Sequence, residues 1–373
     1  MQSPPSAASP PKTKLSNDTD EFLTLALTLF LEHYQMHVPH MHLESFDDDM
    51  ESAVAELLAI QLDEPVDVTE AFQLFRLYKP CRTSTDARPQ LVQNTIARLV
   101  AMPVMEQRTP EWYAFRHTLI TASAIHKAHG SDAKRNELIV EKCNPDIKLQ
   151  SHSMDDARHW GVKYEPVSVA YYSFLYATKI QEFGCLRHPS IEFLGASPDG
   201  IAITESSPRY GRMLEIKNPV SREITGIPKM EYWIQVQHQM AVCGLHACDF
   251  LETKFVEYAS RAEFDADGTF TTAADGSMKG LILCVAKNET TSYAYPPFQC
   301  NETEYEAWET ETLAGAEWVS TLHWKLADVL CTVIEYCDDW FQASVPLYHE
   351  IWRIIQDERV SGEWTKRLPK KRS

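Results

Sequence analysis

Apolar residues along this 373-residue chain recur at two different periods, and the switch between them divides it. From residue 18 to about 107 the spacing is helical. Asp20 is placed to cap a helix over 21–34, and Val54, Leu57, Leu58 and Leu62 stripe another over 50–62. Thr69 precedes a helix over 70–78, and Pro89 opens one reaching about 101. Thr109-Pro110-Glu111 is a second start signal, with Thr at the N-cap, Pro at N1 and an acid in the first turn. The helix it begins should carry Trp112, Phe115 and Arg116 and stop near His117, before Thr121-Ala-Ser123 caps the next one. Residues 154–177 are again helical in spacing, with Pro166 forcing a kink or a new start at Glu165.

The period then shortens. Residues 179–186, 191–194, 200–204 and 213–216 read as strands, 228–243 as a crossover helix, and 247–255 as a strand of alternating apolar positions. Strands joined through a crossover helix imply an α/β core, a mixed sheet flanked by helices. A strand at 281–285 follows a Gly- and Asp-rich loop. Beyond Thr303 the chain reads as helical and Trp-rich, with caps at Thr303 and near Ser344. The domains expected are a tail (1–17) too polar to build a core, a helical N-terminal domain (18–107), an α/β core (108–300), and a helical C-terminal region (301–373). That region ends in the basic run Lys366-Arg-Leu-Pro-Lys-Lys-Arg372, a localisation or nucleic-acid signal or an ordinary solvated tail.

Composition narrows the setting. No apolar run reaches the roughly 18–20 residues of a membrane span, and no basic-then-apolar leader opens the chain, so no membrane role is expected. Nine cysteines without a Cys-x-x-Cys pair suggest reduced thiols and an intracellular, cytoplasmic or nuclear, location. A net charge of −18 argues against nucleic acid until its distribution is seen. Residues 111–258 hold 16 basic and 18 acidic side chains, whereas residues 1–110 hold 8 and 16 and residues 259–373 hold 11 and 19. The acidity belongs to the flanks. His33, His37, His40 and His42 form a cluster, but a proline interrupts it and a solvated helix end is the favoured reading.

Within the near-neutral segment, Ser197-Pro-Asp-Gly200 is a turn after a short strand, and Leu214-Glu-Ile-Lys217 is a buried strand. Strand alternation points Glu215 and Lys217 to one face and Leu214 and Ile216 into the core. Asp199, Glu215 and the Ile216 carbonyl offer oxygen ligands suited to Mg²⁺ or Mn²⁺, with Glu165 able to complete the shell. Lys217 beside them fits activation of a water or stabilisation of charge on a phosphoryl group. Salt-bridged strand-edge roles explain each residue singly but not all together. Arg116 with the hydroxyls of Thr121 and Ser123 has the donors of a phosphate pocket, although from spacing alone an ordinary surface arginine and an ordinary cap are the favoured reading.

Ser197-Pro-Asp199 and Glu215-x-Lys217 together form the Asp…Glu-x-Lys pattern of restriction-endonuclease-like nucleases. Trp112-Tyr-Ala-Phe-Arg116, Ile120-Thr-Ala-Ser123, Gly161-x-x-Tyr-Glu165-Pro and Tyr232-Trp-Ile-Gln235-Val-Gln237-His-Gln-Met240 accompany it. Over roughly 108–255 these motifs resemble the YqaJ-like viral recombinase family, which includes phage lambda exonuclease. The resemblance implies a restriction-endonuclease-like core with helical additions at both ends, and Mg²⁺-dependent 5′→3′ digestion of linear duplex DNA ends that leaves 3′ single strands. It implies metal binding by Asp199 and Glu215 with Glu165 as an additional acid, catalysis by Lys217, support by Gln235, and a 5′-phosphate pocket of Arg116, Thr121, Ser123 and Ser197. Double-stranded DNA ends and a single-strand annealing protein are the partners it implies, while a homo-oligomer stays open because these motifs do not carry an assembly. A structure-specific or nicking endonuclease of the same fold, and a non-catalytic DNA-binding module, remain alternatives.

Overall fold

A computed structural model describes residues 20–37, 45–78, 89–103, 107, 109–144, 157–226, 228–287 and 290–368. The expectations for residues 1–17, for His40 and His42 and for the end of the basic tail lie outside them. The described chain forms two compact units, one within residues 1–82 and 337–345 and the other within 83–336 and 346–373.

The first unit is helical. It contains α1 (Asp20–His37), α2 (Phe46–Leu62), α3 (Thr69–Tyr78) and the opening of α12 (Asp338–Ser361). Phe22, Ala26, Phe30 and Tyr34 recur every four residues and are buried, as are Phe46, Met50, Val54 and Leu58 of α2. Phe30 meets Phe72 and Phe75 of α3 at ring-centroid distances of 5.3 and 5.6 Å. The α2 stripe therefore differs from the sequence expectation: Leu57 stands 50% exposed because the buried row climbs strictly by fours. The His33 and His37 rings lie 4.3 Å apart, tilted 34° to each other.

The second unit begins with α4 (Pro89–Val100), which the sequence reading had placed in the N-terminal domain. Its Arg98 donates to the Cys243 carbonyl at 2.9 Å, so α4 belongs with the sheet. Next come α5 (Pro110–His117), β1 (Ile120–Thr121), α6 (Ala122–Ile125), α7 (Asp132–Cys143) and α8 (Ala157–Leu175). Helix α8 runs unbroken through Pro166, rather than restarting there. Strands β2 (Ile180–Gln181), β3 (Leu186–Arg187), β4 (Leu194–Ala196), β5 (Gly200–Ala202) and β6 (Met213–Lys217) follow, then α9 (Met230–Cys243) and β7 (Ala247–Glu257). The expected strand over 179–186 is two short strands, with Gly184 at φ 66° between them. After α10 (Arg261–Ala266) come β8 (Lys279–Lys287), β9 (Thr290–Ala294), α11 (Glu302–Leu313) and β10 (Glu317–Glu335).

Two sheets result, one of order β1-β4-β3 and a mixed one of order β2-β5-β6-β7-β10-β8-β9. Strands β6 and β7 run parallel through the α9 crossover, and the other pairs of the larger sheet are antiparallel. This is the expected mixed sheet flanked by helices. On one face, Tyr172 of α8 packs with Leu214, Ile216 and Leu251. Glu215 and Lys217 take the other face, as the alternation required.

Two corrections concern the C-terminal region. Residues 317–335, expected to be helical, form a 19-residue strand paired with both β7 and β8, so Trp318 and Trp324 lie on a strand. Register shifts at Trp318/Ser320 and Leu326/Asp328 interrupt the alternation that would have revealed it. The α11 cap is Asn301, in a capping box with Glu304, rather than Thr303; Ser344 lies inside α12 and donates to the Trp340 carbonyl at 2.8 Å. No helix among the described residues is long and apolar enough to cross a membrane.

Candidate active site

Strand β4 lies in the small sheet and β5 in the large one, and the three residues Ser197-Pro198-Asp199 carry the chain between them. Gly200 is required here for proximity rather than for turn geometry: a Cβ on it would meet the Ile180 Cγ2 at 2.2 Å. Asp199 is therefore set beside β6, where its Oδ2 accepts the Ile216 N–H at 2.7 Å. Burial pushes the Asp199 carboxyl well above the usual carboxylate range, and the neighbouring charges of Glu215 and Glu165 push it further. Lys217 and the Ile216 N–H work in the opposite direction.

Glu215 is 1% exposed and hydrogen-bonded through both oxygens. Its Oε1 accepts from Lys217 Nζ and from Gln235 Nε2 (2.7 Å), and its Oε2 accepts from Gln239 Nε2 at 2.8 Å. Burial disfavours the charged Lys217 ammonium, but Glu215 and Asp199 outweigh it and hold its pKa above the ordinary lysine range. The ammonium also sits 4.9 Å from the Tyr232 ring centroid, a cation–π contact. Glu165 approaches from α8, whose position is pinned one turn further on. Ser168 Oγ donates to Asn218 Oδ1 at 2.9 Å and lies 2.7 Å from Thr253 Oγ1, while Asn218 Nδ2 donates to the Gly161 carbonyl at 3.3 Å. The end of β6 and the helix bearing Glu165 are thus tied together.

At the other end of the connector, Arg116 Nη1 donates to Ser197 Oγ at 3.0 Å and Nη2 to Ser123 Oγ at 3.1 Å. Thr121 Oγ1 lies 3.4 Å from Ser123 Oγ. The guanidinium is stacked on the Trp112 ring, 4.3 Å from its centroid, and Thr109 caps α5 by accepting the Trp112 N–H at 3.2 Å. Ser123 lies inside α6 rather than capping it, and Thr121 occupies the N-cap without a side-chain cap bond; the Ser123 hydroxyl turns to Arg116 instead. Burial lowers the Arg116 pKa, against the opposing influence of the adjacent Cys185 thiol. Among the described residues no carboxylate is ion-paired with this guanidinium. Its partners are two hydroxyls, an aromatic face and a thiol, which suits an incoming anion.

Behind it, Lys142 Nζ donates to the Arg116 carbonyl at 3.3 Å. Burial pushes this lysine down to about 8, with Glu141 opposing and Arg116 adding to the shift. Arg359 of α12 donates to the His117 carbonyl and to the Lys142 carbonyl, each at 2.7 Å, and so braces α5 against α7.

All the site residues expected from sequence therefore fall into two adjoining groups, Asp199–Glu215–Lys217–Gln235 with Glu165, and Arg116–Thr121–Ser123–Ser197. Tyr232 and Gln239 fall inside the motif running from Tyr232 to Met240 without a role assigned to them there, and Gln239 stands four residues after Gln235; Cys185 and the Ser168–Asn218–Thr253 tie carry no pattern in the sequence that marks them. Among the described residues no three His, Cys, Asp or Glu side chains form a ready-made cation cage. The donor chemistry nevertheless suits a hard divalent cation: Asp199, Glu215, Glu165 and the Ile216 carbonyl are all oxygen donors, and after burial the negative charges of Glu215 and Glu165 add to the rise of the Asp199 carboxyl.

Residues 111–246 match the YqaJ-like viral recombinase domain. The uncharacterized protein R354 of Acanthamoeba polyphaga mimivirus is 28% identical over 294 residues, which make up 68% of this chain and 53% of that protein. The chain thus spans about half the length of that relative. Crystal structures of LHK-Exo in complex with dAMP, and of the alkaline exonuclease LHK-Exo from Laribacter hongkongensis, are similar at 20% and 21% identity. They cover 69% and 68% of this chain and 98% of their own, with TM-scores of 0.42 and 0.39.

Proposed function

From a chain that carries a YqaJ-like viral recombinase domain over residues 111–246, we propose a metal-dependent DNA exonuclease that works 5′→3′ from linear duplex ends and leaves 3′ single strands. The observation that carries this reading is the Ser197-Pro198-Asp199 connector, which contributes Ser197 to the Arg116 pocket and Asp199 to the carboxylate site. A 5′-phosphate bound by Arg116, Ser123, Thr121 and Ser197 would set the adjoining phosphodiester beside Asp199, Glu215 and Lys217.

Asp199, Glu215, Glu165 and the Ile216 carbonyl would hold Mg²⁺, or Mn²⁺ in its place. When bound, the cation supplies Lewis acidity to the phosphoryl oxygens and acidifies the attacking water. The remaining work belongs to side chains. Lys217, fully charged and fixed by Glu215 and Tyr232, orients the water and offsets the negative charge that builds on the phosphoryl oxygens. Gln235 keeps Glu215 in place. Water attacks phosphorus, the P–O3′ bond breaks, and the departing 3′-oxygen takes up a proton.

The deciding experiment compares 5′-phosphorylated linear duplex with covalently closed circular duplex, each with and without Mg²⁺. Digestion of the linear form alone, only with the cation, is expected. Nicking or linearisation of the circle would favour a structure-specific endonuclease of the same fold, and no digestion of either would favour a DNA-binding module.

A further inference from the structure

Glu215 carries two amide donors rather than one, and we propose that the second, Gln239, is a positioning residue for cation binding at this carboxylate. The inference rests on the reading of Glu215 as a metal ligand. Gln235 reaches Oε1 at 2.7 Å and Gln239 reaches Oε2 at 2.8 Å. Four residues separate them on α9, so one helical turn presents both amides to a single carboxylate. Charge fixes which way the Gln239 amide points. Turned over, its carbonyl oxygen would face a carboxylate oxygen, two acceptors with no proton between them.

That orientation carries a penalty elsewhere. Gln239 is 1% exposed, and its Oε1 is buried without a hydrogen-bond partner. An unpaired buried acceptor opposes folding, and an apolar side chain of similar volume would remove it. Gln237, two residues earlier and equally buried, donates to the Glu335 carbonyl at 2.7 Å and serves packing. The bond to the buried Glu215 Oε2 works the other way, so the two effects oppose each other and net stability is a weak reason for an amide at position 239. Holding Glu215 is the stronger one: with both oxygens tethered the carboxylate cannot rotate, and its remaining lone pairs keep one direction, as hydrogen-bonded ligating carboxylates do.

The test titrates Mn²⁺ into the DNA-free protein by calorimetry and records melting in EDTA. Gln239→Met is expected to weaken Mn²⁺ binding by about tenfold or more, with only a small change in melting temperature, since it removes the unpaired Oε1 and the bond to Glu215 together. Gln239→Asn keeps the amide one methylene short of Glu215; it is expected to lose Mn²⁺ affinity likewise and carries the test if the Met protein does not fold. Gln237→Met should show the converse, a lower melting temperature with the parent's Mn²⁺ affinity. Parent affinity in a folded Gln239 variant overturns the proposal. Glu215→Gln is read in parallel. If it too binds Mn²⁺ like the parent, Glu215 is no ligand and the underlying reading falls. If it loses affinity while the Gln239 variants do not, only the role of Gln239 falls.

Discussion

Arg116 and Ser197 lie 81 residues apart in the chain and meet at 3.0 Å, joining the α5 helix to the connector that bears Asp199. If the pocket they form receives a 5′-phosphate, Arg116→Ala removes charge-assisted hydrogen bonds worth about 1.5–3 kcal/mol each. Digestion of phosphorylated ends should fall by roughly ten- to a hundredfold at limiting substrate, since about 1.4 kcal/mol is a factor of ten. Digestion of dephosphorylated ends should change by much less. Equal losses on the two substrates, measured with matched duplexes, would remove the pocket assignment.

Lys217→Ala withdraws the charged group that sits between Glu215 and Tyr232. Loss of one preorganised electrostatic contact of this kind lowers kcat by about a hundred- to a thousandfold. Single-turnover digestion with saturating Mg²⁺ measures it. Activity equal to the parent's would exclude Lys217 from the chemistry.

The sequence disclosed the site more fully than the fold around it. Glu215 and Lys217 were legible because a five-residue buried strand leaves charged residues only one reason to alternate with Leu214 and Ile216. Asp199 was legible from the turn residues about it, although Gly200 is needed for its closeness to Ile180 rather than for a special φ. Strand β10 was not legible: its two register shifts break the period of two, and apolar residues on both faces imitate a helical stripe. Gln239 was legible only in part: i, i+4 spacing puts it on the helix face of Gln235, but does not say what it bonds. A glutamine facing a buried carboxylate and one facing a backbone carbonyl, as Gln237 does, look alike in sequence.

Lys142 gives a pH signature. Its native pKa, about 8, lies below that of the unfolded chain, so the folded state holds fewer protons from about pH 8 up to the ordinary lysine value. Stability gained from this group therefore rises with pH through that window and is absent below it. Lys142→Met should stabilise the protein at pH 7 by about 1–3 kcal/mol. The advantage should shrink steadily as the pH is raised towards the ordinary lysine value. Urea unfolding of both proteins at several pH values tests it; a difference independent of pH would be the contrary result.

Asp249 is fully buried on β7 and binds three partners: Arg212 at 2.8 Å, Arg209 at 3.2 Å and the Tyr172 hydroxyl at 2.5 Å. Removing one member of a buried ion pair costs roughly 3–5 kcal/mol. Both arginines are partly exposed and can rehydrate, so Asp249→Ala should fall at or below the lower end of that range. Chemical denaturation reads the loss directly. Because Asp249 lies outside the carboxylate site, Mn²⁺ affinity of the folded fraction should be retained.

Salt should act weakly on DNA binding. The net charge is −18, and the basic groups near the site are few, Arg116 and Lys142 among them. Each phosphate neutralised adds about −0.9 to the slope of log affinity against log salt, so a slope of about −1 to −3 is expected. A steep slope, measured by fluorescence anisotropy with inactive Lys217→Ala protein, would reveal a basic groove elsewhere.

The connector between the two sheets is also a measure of length. Ser197 and Asp199 are two residues apart, and a chain cannot stretch beyond about 3.6 Å per residue, so their α-carbons are never more than about 7 Å apart. Pro198 between them stiffens that interval further. If the pocket holds a 5′-phosphate, the held end and the bond set beside Asp199 are separated by a covalent distance, whatever the base sequence. On the proposed reading the enzyme would count its substrate in fixed steps, with the step written into three residues of backbone.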